Sequence, residues 1–196
     1  DLIVSDGAII TTIVGLGLLM AILIPKDDRT AKILCQIVSV FSIISMIIGS
    51  IVLIAISDRF KLFSLNFNYS LACILLAIYS YFFIQQQLFY AYVNRKGLYR
   101  VLFWNPIIMA ASNSGISLVL GLMGWSSPGY LIGTICSLML SILLMMKNAN
   151  PYNERFSISE LKGTLSIYKE FPLVQLPANV VSVSSQQIPI KYLGNV

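Results

Sequence analysis

Long apolar runs cut by short polar segments constrain this chain more than any other feature. A helix crossing the hydrocarbon core of a bilayer needs about 20 predominantly apolar residues. Five segments meet that length in sequence: Gly7–Pro25, Ile33–Ser57, Tyr69–Val93, Leu102–Met123 and Tyr130–Met146. A sixth begins at Pro172 and runs to about Leu193. With 57% hydrophobic and 11% charged residues and a mean hydropathy of +0.83, the chain is far from the roughly 25% charge of soluble domains. The expected fold class is therefore all-α, a polytopic transmembrane helix bundle. Irregular backbone is expected only outside the bilayer core.

The basic residues set the expected orientation. The segment joining the first two spans holds Lys26, Arg29 and Lys32. The one joining the third and fourth holds Arg95, Lys96 and Arg100. The one joining the fifth and sixth holds Lys147, Arg155, Lys162 and Lys169. These alternate segments share one face and hold ten of the 13 basic residues, which places that face in the cytoplasm. The other face has Arg59 and Lys61, with Lys191 near the end. The net charge of +5 then belongs to loops and anionic headgroups, and no nucleic-acid partner is expected. Between Gly124 and Gly129 the sequence GWSSPG reads as a tight turn, making the fourth and fifth spans a close antiparallel hairpin. The first span would start on the outer face, so an odd number of helices precedes it if the complete protein starts inside. The chain, beginning at Asp1 without a basic signal-peptide region, reads as a fragment of a longer protein.

Residues 147–171 are the longest polar stretch. KNANPYNER is turn-like. Ser157 and Glu160 then have capping-box spacing, and Ile158, Leu161, Leu165 and Tyr168 recur at helical spacing. This predicts an amphipathic helix along the cytoplasmic membrane face. The expected organisation is a five-helix bundle over 1–146, a linker over 147–171, and the first helix of a second half over 172–196.

Several chemistries are excluded or unsupported. The chain has no histidine, which removes His-based acid–base catalysis and His metal sites. Cys35, Cys73 and Cys136 each sit in an apolar run, without disulfide or zinc spacing. No cofactor, metal or covalent catalysis is expected.

The sixth span is unusually polar. Gln175, Asn179, Ser182 and Gln186 fall at spacings of 4, 3 and 4 and share one helical stripe about 60° wide. At membrane depth such a stripe faces a watery cavity or another helix. Amides and hydroxyls supply donors and acceptors suited to sugars, and they equally suit helix–helix hydrogen bonding. Pro172, Pro177 and Pro189 each remove a backbone donor and serve as a hinge or as tolerated kinks. On the third span Tyr81, Gln85 and Tyr92 align, with Gln85 a candidate cavity residue and Tyr92 expected in the interfacial aromatic belt. On the fourth, Asn105, Ser112 and Asn113 lie within about 100°, facing the cavity or a neighbouring helix. Arg95, Lys96 and Arg100 stand at the cytoplasmic mouth, suited to a diphosphate or to ordinary positive-inside anchoring. Lys26-Asp27-Asp28-Arg29 reads as a solvated loop that caps the next helix rather than as a metal or phosphate site.

Three segments carry a family resemblance: AILIPKDDRTAKIL (Ala21–Leu34), VNRKGLYRVL (Val93–Leu102) and YKEFPLVQLPANVVSVSSQQIPI (Tyr168–Ile190). In this order they resemble the Wzx-type polysaccharide flippases of bacterial cell-envelope synthesis, in the MATE-like multidrug/oligosaccharidyl-lipid/polysaccharide exporter superfamily. The resemblance implies two lobes around a central cavity, with the spans here as helices two to six of the first lobe and the start of helix seven. It implies a transporter of the inner membrane that flips an undecaprenyl-diphosphate-linked oligosaccharide by alternating access. Its partners would be that lipid-linked glycan, membrane lipids, and glycan polymerase and chain-length proteins. One departure concerns Gly17, Leu18 and Leu19, where many relatives carry polar or charged residues. Other readings remain: a drug/cation antiporter of the same superfamily, a membrane glycan polymerase or ligase, or a non-transporting scaffold. The short, nearly uncharged outer loops oppose the polymerase.

Overall fold

The computed structural model describes residues 18–60, 69–154, 156–171 and 185. The expected sixth span, apart from Ser185, and the outer part of the first lie outside them. Every element among the described residues is helical: α1 (Leu18–Ala21), α2 (Asp28–Phe60), α3 (Tyr69–Arg95), α4 (Tyr99–Leu122), α5 (Ser126–Asn148) and α6 (Ile158–Ile167). Among the described residues, three stretches are long and apolar enough to cross a bilayer: Ile74–Arg95, Tyr99–Leu122 and Gly129–Asn148. These make the chain a membrane protein by length and composition. At 1.5 Å per residue the 33 residues of α2 extend for about 50 Å.

The ends of these helices follow from local sequence. Asp27 precedes α2, and its carboxylate accepts the Thr30 backbone N–H at 3.2 Å, satisfying one of the donors that a helix start leaves open. This is the capping role expected of the Lys26–Arg29 loop. α3 ends at Gly97, φ +68°. There Leu98 N–H reaches the Val93 carbonyl and Gly97 N–H the Asn94 carbonyl, the paired bonds of a Schellman cap. Gly124, φ +87°, repeats the arrangement at the end of α4, with Trp125 N–H on Leu120 and Gly124 N–H on Gly121. A β-carbon would strain either position. The α4–α5 turn is tighter than GWSSPG suggests, because Ser126 already opens α5. Pro128 fits that first turn, where no intrahelical donor is required.

α3 occupies the centre, packing on α1, α2, α4 and α5. The larger core gathers Leu18, Ile22, Leu34, Val38, Leu88, Phe89, Tyr92 and Met145, with Leu161 and Leu165 from α6 and Tyr168 just past its end against it. A smaller cluster joins Tyr79, Ile135 and Leu138. α6 carries the expected capping box, with Ser157 and Glu160 bonded reciprocally. One of its four expected apolar contacts is absent: Ile158 is 71% exposed, because it lies at the edge of the sector defined by Leu161, Leu165 and Tyr168. α6 thus packs on α2 and belongs to the body of the first helices.

Candidate functional site

The three basic segments meet at one end of the bundle, as their alternation predicts. Asp28 is the hub. Lys96 Nζ lies 2.9 Å from its carboxylate, Lys32 Nζ 3.5 Å and Arg95 Nε 4.0 Å. The Tyr92 hydroxyl donates to it at 3.4 Å, and Arg95 also donates to the Pro25 carbonyl. The linker closes the ring: Glu154 accepts from Lys32 at 2.5 Å and Glu160 from Arg29 at 2.6 Å. Gln36 donates to the Glu154 carbonyl at 2.6 Å. Arg29 also lies over the Phe156 ring, 5.8 Å from its centroid.

The electrostatics follow this geometry. Partial burial pushes the Asp28 carboxyl up, but the hydrogen bond and charge of Lys96, with Lys32 beside it, prevail and hold it below the usual carboxylate range. The hydrogen bond to Glu154 raises Lys32, and the one to Asp28 raises Lys96.

Within the bundle, about ten residues or 15 Å from this end at 1.5 Å per residue, lies a cavity of about 210 Å³. Its walls are Ser39, Tyr81, Phe82, Gln85, Phe89, Ile142, Met146 and Tyr152. Gln85 is 5% exposed. Its carbonyl oxygen accepts from Ser39 at 3.2 Å and from the Tyr152 hydroxyl at 3.0 Å, and its amide donates to Ser42 at 3.2 Å. Ser39 and Tyr152 also touch each other. Three oxygens therefore share two hydroxyl hydrogens, so at any moment one of the three contacts lacks a proton. The triad has acceptor capacity left over. Burial raises the Tyr152 hydroxyl above the ordinary phenol range, against the lowering effect of Ser39, so it remains protonated at neutral pH.

The expected site residues separate into groups. Gln85 and Tyr81 line the cavity. Asn113 and Asn105, by contrast, belong to the seam between α4 and α5. Asn113 accepts from Ser117 at 3.2 Å and Thr134 at 3.4 Å; Asn105, 1% exposed, accepts from Ser141 at 2.7 Å. Of the two roles open to them, the bonds from Thr134 and Ser141 are the interhelical one, while Ser117 bonds Asn113 within α4. Asn113 is accordingly not among the cavity walls. Ser112 turns back on its own helix, donating to Ile108 at 2.7 Å. Tyr92, expected in the lipid-facing belt, is 1% exposed, because its ring packs in the core and its hydroxyl serves Asp28. Arg95 and Lys96 share Asp28, so the mouth is less open to an anion than three free cations would be. Arg100 is exposed and has no ion pair among the described residues. Gln175, Asn179, Ser182 and Gln186, with the hinge candidates Pro172, Pro177 and Pro189, lie outside the described residues.

Sequence reading missed Asp28 as hub and Ser39, Ser42 and Tyr152 as partners of Gln85. The hydroxyls at Ser39 and Ser42, three apart in an apolar run, were a detectable signal. The insertion of Tyr152 from a polar linker was not. Among the described residues, no group of His, Cys, Asp and Glu could hold a metal ion. Compared with protein-family models, curated proteins and solved structures, the chain matches none.

Proposed function

We propose that this chain is the first lobe and the beginning of the second lobe of a Wzx-type flippase. It would carry an undecaprenyl-diphosphate-linked oligosaccharide across the bacterial inner membrane by alternating access, as a multi-pass transporter with no covalent step. The observation that supports this reading best is the cavity around Gln85, set behind a basic end, whose mostly apolar walls carry one uncharged cluster of amide and hydroxyl groups. Amide and hydroxyl groups can exchange partners with sugar hydroxyls without the desolvation penalty of buried ions. Arg100, Lys96 and Arg95 offer cations to a diphosphate. Gln175, Asn179, Ser182 and Gln186 add a second polar stripe on the sequence alone. Between Tyr69 and Lys147 the charged residues Arg95, Lys96 and Arg100 all lie at one helix connection. That favours a path for the uncharged sugars of a lipid-linked glycan over a drug/cation antiporter, which needs an ionisable group at membrane depth.

The test is complementation in cells deleted for the parent gene. Two variants, Gln85→Met alone and Gln175→Leu combined with Gln186→Leu, are expected to abolish surface glycan while membrane levels of the protein persist. Full glycan display in both variants would sink the flippase reading. Loss of the protein itself would assign these amides to helix packing.

A further inference from the structure

One wall of the cavity comes from outside the spanning helices. Tyr152 comes from the polar linker, yet its hydroxyl completes the Ser39–Gln85 triad, and its ring stands edge-on to Phe89 with centroids 5.7 Å apart. The approach of this segment is set locally: Tyr152 N–H donates to the Asn150 side chain at 2.9 Å, and Pro151 is buried. Beyond it, Lys32–Glu154, Gln36–Glu154 and Arg29–Glu160 fasten the linker along α2.

These fastenings are weak relative to the bundle. Glu154 and Glu160 are 48% and 38% exposed at their side chains, and half-exposed ion pairs add little to stability. Withdrawal of Tyr152 would widen the cavity and free Ser39 and Gln85, which already line it, so that water or a ligand hydroxyl can take over its hydrogen bonds. No spanning helix has to move.

We propose that Tyr152 is a plug and that residues 149–154 are a strap, narrowing the Gln85 cavity from the basic end and opening it by undocking. What replaces the plug must supply a hydroxyl or amide to Gln85 and a flat face to Phe89. As regulation of a transport path, the plug rests on the flippase reading; as a narrowing of the cavity, it does not.

The test is thiol accessibility, with no transported substrate involved. Ser39→Cys is placed in a background carrying Cys35→Ala, Cys73→Ala and Cys136→Ala. The protein is reconstituted in lipid nanodiscs and reacted with a charged methanethiosulfonate. Slow labelling is expected while Tyr152 is present. Adding Tyr152→Ala should speed it roughly five- to tenfold, the equilibrium worth of about one lost hydrogen bond, and Tyr152→Phe, which keeps the ring, should speed it less. Glu154→Gln with Glu160→Gln, retaining Tyr152, should also speed it, and decides the matter if Tyr152→Ala fails to fold. Labelling equally fast in all of these chains would overturn the plug. Faster labelling alongside intact glycan display by the amide variants would keep the plug and reject the flippase reading.

Discussion

The α4–α5 seam and the basic end hold helices together by opposite means. In the seam the backbones approach so closely that a β-carbon on Gly129 would fall 2.9 Å from Leu120 Cβ, and one on Gly133 would overlap Ser117 Oγ. Its polar contacts are neutral ones from Asn105 and Asn113. At the basic end the contacts are charged, longer-reaching and half-exposed. The difference follows the solvent. Where lipid is the surroundings, the hydrophobic effect gives no force between helices, and close packing with neutral hydrogen bonds must serve. Where water is near, ion pairs form at little desolvation cost and contribute little. α4 carries this furthest: 6% of its apolar window is buried, against 50% for that of α3, so almost all its protein contact is that seam.

The largest effect should therefore come from filling the seam. Gly129→Ala sets a β-carbon against Leu120 Cβ, which cannot move without its backbone. Overpacking of this kind costs about 1–3 kcal/mol, read as an earlier midpoint when the protein in mild detergent is titrated with dodecyl sulfate. Gly115 lies on the open face of the same hairpin, with nothing within 4 Å of its would-be β-carbon. Gly115→Ala should be neutral or slightly stabilising, since alanine is favoured over glycine in helices by about 1 kcal/mol. Equal losses from both variants would break the distinction between a packed seam and an open face.

The next effect is smaller. Ser141→Ala removes the donor to the buried Asn105 carbonyl. Interhelical hydrogen bonds in membranes average about 0.6 kcal/mol and reach about 1.7 kcal/mol, and the burial of both partners puts this one near the upper figure. The same titration measures it. A loss as large as that of Gly129→Ala would mean that hydrogen bonding, and not close approach, holds the seam.

Both regions were partly legible in the sequence, for different reasons. Apolar run lengths predicted helices, and alternating basic loops predicted that Lys32, Arg95 and the linker meet at one end. Gly124 marked a tight connection because few other residues tolerate its backbone, whereas Gly97, which plays the same part after α3, was not singled out. The capping box at Ser157 could be read because both its partners lie three residues apart. Asn113 could not be assigned, since helical periodicity gives a direction but not the neighbour in that direction; α5 stands there. Tyr92 looked like an interfacial ring because its place near a helix end is also where belts occur, and only the position of Asp28 distinguishes the two. Tyr152 was out of reach entirely. Its partners are 113 and 67 residues away in sequence, and nothing local couples a turn tyrosine to a glutamine in a spanning helix.

At the basic end, Asp28→Asn removes the charge shared by Lys32, Arg95 and Lys96. The Asp28 side chain is 39% exposed, so the cost should stay at or below about 1 kcal/mol. It should appear as faster amide exchange over residues 94–100, with the α4–α5 seam unaffected. The difference from the unsubstituted chain should shrink as salt is raised toward 1 M, where screening lengths fall to about 3 Å. A salt-independent loss would place Asp28 among the neutral, packed contacts and erase the contrast between the regions.

Acidity gives the smallest effect, and its sign is fixed by the direction of the shifts. Asp28 is held below its ordinary 3.8, so its contribution is present above that value and is lost as pH falls through the lower folded one. Lys32 and Lys96 are held above their ordinary 10.5, so theirs is full below that value and is lost as pH rises through the higher folded ones. Protection of residues 94–100 and 149–154, corrected for intrinsic exchange, should therefore be flat between about pH 5 and pH 9. It should weaken below and above that window. The seam, built without titrating groups, should hold its protection at both extremes. A slope near neutral pH would require a group titrating there, which the absence of histidine and the raised phenol of Tyr152 do not supply, and would mean that the charged end is assembled differently from the Asp28-centred network.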